Sequence, residues 1–187
     1  MIKDSIHFTT VKGADDIRQI LTLQKANLPE SISNEMAASQ GFVTVQHDFD
    51  LLTKMNEAIP QVIAIDDRQV VGYALTMLPS FQKLIPVLKS MFAMFRRIEF
   101  GGRKIADYNY YVMGQICVAQ DYRGQGIFDG LYLKHKTLFA DKFDFCVTEI
   151  ATRNTRSLRA HKRVGFETIH TFQDETDLWE IVIWDWR

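Results

Sequence analysis

The sequence has almost no net charge, few cysteines and no long apolar run. Its 187 residues include 22 Lys and Arg against 23 Asp and Glu, which gives a formal net charge of −1. This balance gives no reason to expect binding to nucleic acid or to a membrane surface. The most apolar stretch, residues 84–95, contains Pro86 and Lys89 and is too short to span a bilayer. Neither a nucleic-acid-binding domain nor a membrane-spanning protein is therefore expected.

The two cysteines, Cys117 and Cys146, each lie inside an apolar run. We expect ordinary buried thiols at both positions, as in a reducing compartment, rather than a disulfide or a nucleophile. The opening residues lack the cationic and then apolar pattern of a secretory signal, so the expected location is cytoplasmic. With 47% hydrophobic residues the chain can bury a core without disulfides or a metal, which predicts a single domain over residues 1–187.

Periodicity predicts strands and helices along the whole chain. The expected strands are residues 5–11, a hairpin over 60–78 that turns at 66–69, residues 109–120 and 143–152, and a closing pair over 166–186. The expected helices are residues 13–28, 33–40, 49–58, 79–97 (kinked or started near Pro86) and 154–166. Because strands outnumber helices and hairpins are mixed with helical crossovers, we predict an α+β fold with a mixed sheet and flanking helices.

A glycine-rich turn, "AQDYRGQG", lies between the predicted strand at 109–120 and a further amphipathic helix that begins near Gly126. Glycines let the backbone approach a ligand closely and direct successive N–H groups to one point. A helix N-terminus adds a partial positive charge and Arg123 adds a full one. The turn can therefore hold a pyrophosphate, although a purely structural turn before a helix gives the same pattern.

A dinucleotide-binding fingerprint can be tested on the same glycines. Gly124, Gly126 and Gly130 are spaced one residue too widely for it, although Glu149 lies where a ribose-binding acid is expected. Only about forty residues follow Glu149, too few for the remaining units of a Rossmann domain. The chain is therefore too short after Glu149 for the topology of a Rossmann domain, and a dinucleotide-binding site is not expected.

A second motif, "NTRSLRAHKRVGFE" at residues 154–167, directly follows the predicted strand at 143–152. Together the two motifs resemble the GCN5-related N-acetyltransferase (GNAT) family. The family pattern is a strand, R-G-x-G-x, a helix, a strand and then N-x-x-[SA]-x-x-x-[YH]-x-x-x-G-F. The motifs cover residues 110–166, and the predicted elements around them follow the family's order.

The resemblance implies a mostly antiparallel sheet with splayed central strands, and acetyl transfer from acetyl-CoA to a primary amine by direct attack, without a metal. Pantetheine would lie between the splayed strands, and backbone N–H groups of the turn would hold the pyrophosphate. The implied cofactor-binding residues are Ile116, Cys117, Val118, Arg123, Gly124, Gln125, Gly126, Ile127, Phe128, Asn154 and Ser157. Asn154 also fits a helix N-cap, and both roles are compatible.

Glu149 and His161 are the candidate catalytic residues. They resemble, in type and spacing, the Glu and Tyr pair of the family's ribosomal-protein N-terminal acetyltransferases, with Glu149 as base through water and His161 as proton donor. A backbone N–H near Val118 would stabilise the negative charge that develops on the thioester oxygen. The alternatives are a solvated or ion-paired carboxylate at Glu149 and a packing role for His161.

Phe128 departs from the family, which usually has Gly or Ala at this position. A ring directed inward would block the cofactor, whereas a ring directed outward would join the core or the pocket wall. The first case would give a catalytically inactive member that acts as an acyl-CoA sensor or a protein-interaction module. Gly130, inside the helix, indicates close packing there.

The acceptor is a small-molecule or peptide amine that the sequence does not distinguish. A helical insert over 80–107 is expected to wall the acceptor site or to form a homodimer contact, with Gly101 and Gly102 as a hinge. The alternative is a helix that covers one face of the sheet. Arg96, Arg97 and Arg103 could meet an acidic acceptor, although such residues are usually solvated. The loop at 41–48 is a second candidate for the pocket rim.

Overall fold

The computed structural model of the protein describes residues 5–31, 33 and 42–187. The helix expected over 33–40 therefore lies outside the described residues, apart from Ser33. The strands are β1 Ile6–Thr10, β2 Val62–Asp66, β3 Gln69–Met77, β4 Glu99–Phe100, β5 Arg103–Lys104, β6 Tyr110–Val118, β7 Phe145–Ala151, β8 Glu167–Gln173 and β9 Leu178–Asp185. The α-helices are α1 Ala14–Lys25, α2 Phe49–Ala58, α3 Lys89–Phe95, α4 Ile127–Phe139 and α5 Thr155–Val164.

Seven of the strands form one sheet in the order β1-β2-β3-β6-β7-β9-β8, and β4 and β5 form a separate small hairpin. Within the sheet, β6 and β7 are parallel and every other neighbouring pair is antiparallel. A parallel pair needs a crossover connection, and α4 provides it between β6 and β7. The predicted α+β class with a mixed, mostly antiparallel sheet is confirmed.

Both faces of the sheet are covered, because alternate side chains of each strand enter different cores. On β6, Tyr110 and Val112 pack into the core beneath α1, α2 and α3. Tyr111 and Met113 pack into the opposite core, beneath α4 and α5. Both cysteines are buried free thiols, as expected from their apolar surroundings.

The insert between β3 and β6 agrees with the predicted interruption near Pro86 but is less helical than predicted over 79–97. It contains 3₁₀ turns at Pro79–Leu84 and Pro86–Leu88, and only then the short α3. Pro86 lacks an N–H group, and it moves Ile85 out of the helical region to φ −127° and ψ 78°. Gly101 and Gly102 have φ values of 56° and 84° and form the turn of the β4–β5 hairpin, where the sequence predicted a hinge.

Gly130 explains how β1 packs against α4. A Cβ atom at this position would lie 2.2 Å from Cζ of Phe8, which is closer than two carbon atoms that are not bonded to each other can approach. The missing side chain therefore admits the Phe8 ring of the sheet edge against the helix. The close packing predicted at Gly130 is confirmed.

Candidate active site

The sheet is split between β6 and β7. Their parallel pairing covers only Tyr110–Val112 with Phe145–Val147, although β6 continues to Val118 and β7 to Ala151. Beyond the pairing, β6 remains joined to β3 and β7 to β9, so the two strands diverge in the middle of the sheet. At the start of the split, Oγ1 of Thr148 donates a hydrogen bond of 2.9 Å to the carbonyl oxygen of Met113.

A large cavity of about 630 Å³ occupies the wide end of the split, between β6, the glycine-rich turn and α5. Ten of the eleven predicted cofactor residues line it: Ile116, Cys117, Val118, Arg123, Gly124, Gly126, Ile127, Phe128, Asn154 and Ser157. The remaining one, Gln125, donates from Nε2 to the carbonyl oxygen of Asp121 instead. The structure therefore brings two sequence motifs, far apart in the chain, to the same concave surface.

A smaller cavity of about 90 Å³ lies next to the larger one, deeper in the split. Both predicted catalytic residues, Glu149 and His161, line it. Ile116, Asn154 and Ser157 line both cavities, so the two are adjacent parts of one cleft.

The glycine-rich turn presents the N-terminus of α4 to the larger cavity. Gly124 and Gly126 have φ values of 75° and 84°, a left-handed conformation that glycine adopts without strain. Gly126 is the N-cap residue of α4, and no side chain of the described residues caps this helix. The first N–H groups of α4 are therefore available to an anion. By contrast, Oδ1 of Asn154 caps α5 by accepting from the Ser157 N–H group at 3.2 Å, as predicted.

Arg123 folds back from the turn to the end of β6. Its Nε donates to the carbonyl oxygen of Val118 at 3.0 Å and its Nη2 donates to Oδ1 of Asn27 at 2.6 Å. Nη1 is buried and has no hydrogen-bond partner among the described residues. Burial lowers the pKa of the guanidinium, but arginine stays charged at neutral pH. The edge of the larger cavity therefore carries a positively charged guanidinium group, and the hydrogen bonds of this group go to neutral oxygen atoms.

The backbone of Val118 faces the split. Its carbonyl oxygen accepts from Arg123, whereas the next amide, of Ala119, donates towards β3, to Val71 at 2.8 Å. The N–H and C=O groups of one strand residue point to the same edge, so the N–H group of Val118 also points into the split. This N–H group therefore faces the cleft, where Val118 lines the larger cavity.

Glu149 lies in the smaller cavity with one oxygen unsatisfied. Its Oε2 is buried and has no hydrogen-bond partner in the described part of the chain. Burial, and secondly the charge of Asp174, raises the pKa of Glu149 to about 8. A carboxyl group with a pKa near the working pH can accept a proton from an ammonium group and release it again.

His161 is buried among aromatic rings. Its ring centroid lies 5.1 Å from those of Phe128 and Phe166 and 5.3 Å from that of Tyr132. Nδ1–H donates to the carbonyl oxygen of Ser157 at 2.8 Å. Burial lowers the pKa of His161 to about 4, so the ring is neutral at neutral pH. This environment supports the packing role more than the proton-donor role.

Phe128 forms part of the cavity wall. Its ring packs against Tyr132, with centroids 5.2 Å apart, and against His161. The ring therefore lies between α4 and α5 on the border of the larger cavity, as in the second alternative drawn from the sequence.

The sequence also predicted part of the rim. Phe42 and Val43, from the loop predicted as a second rim candidate, line both cavities, and Thr44 lines the smaller one. The insert over 79–107 lines neither cavity; it reaches this end of the fold through Ser90, whose Oγ donates to Asp174 at 2.9 Å. Arg103 stacks on Tyr108 at 4.0 Å, within the insert and its flank.

Several basic residues of the larger cavity were missed by the sequence analysis. Arg156, Arg159 and Arg163 lie on one face of α5, and their spacing of three and four residues could have indicated this face. Arg163 forms an ion pair of 2.6 Å with Asp129 at the cavity mouth. Asn27, at the end of α1, was also missed because only its contact with Arg123 reveals its place.

Within residues 5–31, 33 and 42–187, no three metal-ligating side chains cluster as a metal site would require. Over the same residues, no helix combines the length and apolarity needed to cross a membrane.

Comparisons with known proteins agree with this geometry. A chain in the NatC complex bound to Gag peptide and CoA has 14% sequence identity and a TM-score of 0.66, over 97% of this chain and 98% of that one. Ribosomal-protein-S18-alanine N-acetyltransferase from Escherichia coli has 9% identity and a TM-score of 0.64, over 96% and 93%. Arabidopsis thaliana NAA60 in complex with acetyl-CoA has 11% identity and a TM-score of 0.64, over 96% and 99%.

At these low identities, the TM-scores show a shared fold. Among curated proteins, no sequence matches the chain. The family model for the acetyltransferase (GNAT) family matches residues 21–166, which is most of the chain and includes both motifs. The split sheet, the glycine-rich turn at a helix N-terminus and this match lead to one conclusion: the chain belongs to the GNAT acetyltransferase family.

Proposed function

We propose that the protein transfers an acetyl group from acetyl-CoA to a primary amine by direct attack on the thioester. The observation that carries this proposal is the continuous cleft from the split between β6 and β7 to the uncapped N-terminus of α4. The split has the shape for an extended pantetheine arm that bonds to free strand backbone. The helix N-terminus and Arg123 suit a pyrophosphate. The face of α5 that carries Arg156 and Arg159 adds positive charge to the same cavity.

Acetyl-CoA supplies an activated carbonyl carbon and a thiolate leaving group. Glu149 takes a proton from the incoming ammonium group, because an amine attacks only when neutral and its own pKa is near 10. The N–H group of Val118 stabilises the charge on the thioester oxygen. A C–N bond forms as the C–S bond breaks; the attacking nitrogen then releases its second proton to solvent, and the thiolate takes a proton from solvent. In this proposal His161 does not transfer a proton; it packs against the neighbouring aromatic rings.

The acceptor enters from the side of the smaller cavity. A volume of about 90 Å³ holds the amine and its first carbons, so the rest of the acceptor lies outside. A peptide N-terminus and a small alkylamine both satisfy this limit. Two of the structural relatives are described with a peptide or a protein alanine as partner, which makes peptides the first acceptors to test.

Calorimetric titration with acetyl-CoA and with desulfo-CoA tests the cofactor site, and release of free CoA thiol in the presence of peptides and alkylamines tests transfer. We expect micromolar binding and amine-dependent thiol release. Binding without release for any amine would favour an acyl-CoA sensor. An absence of binding by the folded protein would contradict the proposal.

Gly126→Ala should weaken acetyl-CoA binding about tenfold, or by about 1.4 kcal/mol, because it strains the turn and places a methyl group in the anion site. Gly102→Ala is a matched control, since Gly102 has the same φ of 84° and no atom within 4 Å of its Cβ position, on the remote β4–β5 hairpin. Equal losses of affinity in both variants would contradict the proposed position of the pyrophosphate.

A further inference from the structure

We propose that Asn27 is a positioning residue that couples the cofactor site to residues 42–47, so that bound CoA orders the wall of the acceptor site. Residues 42–47 are called the acceptor-side segment below. This inference rests on the proposed function, because it takes the larger cavity as the CoA site.

The first link runs through Asn27. Its Oδ1 accepts the bond of 2.6 Å from Nη2 of Arg123, and its Nδ2 donates to the carbonyl oxygen of Leu23 in α1 at 2.8 Å. Its own carbonyl oxygen accepts from the N–H group of Val43 at 3.2 Å. One residue therefore joins the glycine-rich turn, the end of α1 and the acceptor-side segment.

The second link runs through a buried group of amides. Nε2 of Gln115, on the split part of β6, donates to the carbonyl oxygen of Val45 at 2.7 Å. Oε1 of Gln115 accepts from Nε2 of Gln24 at 2.7 Å and from the hydroxyl group of Tyr73 at 2.6 Å. Oε1 of Gln24 accepts from the N–H group of His47 at 2.8 Å. Because these groups are buried, each bond is costly to lose.

The acceptor-side segment has no regular secondary structure of its own. Its buried residues alternate with exposed ones: Val43, Val45 and His47 point into the protein. Its conformation therefore depends on the bonds to Asn27, Gln24 and Gln115, which hold it at both ends. Phe42 and Val43, at its start, line both cavities.

The bonds at the two ends of the acceptor-side segment differ in how they can respond to a ligand. Gln24 and Gln115 belong to a helix and a strand, whereas Asn27 lies just beyond α1 and its side chain bonds both to Leu23 and to Arg123. Arg123 is a charged side chain at the cavity edge, and one of its N–H groups has no partner among the described residues. A phosphate that fixes Arg123 also fixes Asn27, and through it Val43. The acceptor wall is thus completed when the cofactor binds.

Hydrogen exchange of the full-length protein, followed by mass spectrometry with and without saturating desulfo-CoA, tests this coupling. In the wild type, exchange in peptides that cover residues 42–47 should slow by about fivefold or more, the lower end of ordinary coupling between sites. In Asn27→Ala the slowing should fall below about twofold, and Asn27→Asp, which keeps an acceptor oxygen for Arg123, should restore it.

Gln19→Ala is the matched control. Gln19 also joins α1 to the sheet, since its Oε1 accepts from the N–H group of Val70 at 2.8 Å, but it lies away from the cavities. This variant should keep the wild-type response. If it loses the response as Asn27→Ala does, the effect is general loosening of α1 and the role of Asn27 is overturned.

The outcomes separate this inference from the proposed function. Calorimetric binding of desulfo-CoA with unchanged exchange at residues 42–47 overturns the coupling alone. A full response in Asn27→Ala overturns the assignment to Asn27. Absence of binding in the folded wild type overturns the proposed function and the inference with it.

Discussion

The carboxyl group of Glu149 is placed where its charge is costly. The ordinary pKa of a glutamate is near 4.3, and burial raises that of Glu149 to about 8 in the folded protein. The folded state therefore binds more protons than the unfolded state between these values. By linkage, the free energy of unfolding falls as the pH rises through this window, and the loss is complete above about pH 8.

Glu149→Gln should consequently stabilise the protein at alkaline pH. We expect a gain of a few kcal/mol at pH 9 and little change at pH 4, because one pKa unit corresponds to about 1.4 kcal/mol. The same variant should lose acetyl transfer by about a hundredfold or more, as removal of a general base does. Urea unfolding at several pH values and thiol-release assays measure the two effects.

Glu175→Gln, in the exposed turn between β8 and β9, is the control and should change neither property. Equal stability of Glu149→Gln and the wild type at pH 9 would show that the carboxylate is solvated. The structural interpretation of Glu149 as a desolvated base would then be wrong.

Features of single residues could be predicted from the sequence where they depend on only a few neighbouring residues. The left-handed glycines of the turn and the Asn154 cap follow from short motifs, because backbone geometry over a few residues requires them. The bond between Arg123 and Asn27 spans 96 residues, and that between Gln24 and Gln115 spans 91. No periodicity encodes such pairs; only the folded sheet brings them together.

At the scale of elements, strands were easier to predict than the insert. The hairpin of β2 and β3 and the long β6 have strong β-propensity and clear turn signals. Residues 79–97 have helical apolar spacing as well, but two prolines divide them into short pieces. Proline outweighs periodicity here because it removes a backbone donor and restricts the preceding residue.

The packing of α4 on β1 gives a test at this scale. Glycine inside a helix normally costs about 1 kcal/mol relative to alanine, so Gly→Ala should stabilise. At Gly130 the new methyl group would instead overlap the Phe8 ring, and overpacking costs about 1–3 kcal/mol. We expect Gly130→Ala to lower the free energy of unfolding by about 1 kcal/mol, measured by urea denaturation.

A smaller side chain at the other side of this contact provides the control. In a Phe8→Leu background the overlap is relieved, and Gly130→Ala should then be neutral or stabilising. A stabilising effect of Gly130→Ala in the wild-type background would mean that β1 does not pack on α4 as closely as described.

At the scale of the whole molecule, three histidines are buried in different parts of the structure. His47 is the last residue of the acceptor-side segment, His135 lies on α4 against Tyr111 of β6, and His161 lies in α5. Each ring makes hydrogen bonds: Nδ1 of His135, for example, accepts from the hydroxyl group of Tyr111 at 3.1 Å. Burial lowers the pKa of each to about 4, from an ordinary value of about 6.5.

These histidines should make the molecule sensitive to acid. Their folded-state pKa values lie below the unfolded value. The free energy of unfolding that they contribute is therefore fully present above about pH 6.5 and is lost as the pH falls towards 4. Glu149 acts in the opposite direction between about pH 4.3 and 8 and is outweighed by the three histidines below about pH 6.5, so stability should be greatest near pH 6.5. His161→Phe keeps the aromatic packing and removes one titrating group, which should reduce the slope of the acid limb by about 1 kcal/mol per pH unit. His7→Gln, on the exposed side of β1, should leave the slope unchanged. The free energy of unfolding between pH 4.5 and 7 measures both. An unaltered slope in His161→Phe would mean that His161 titrates in the folded protein, and its role as a proton donor would then regain support.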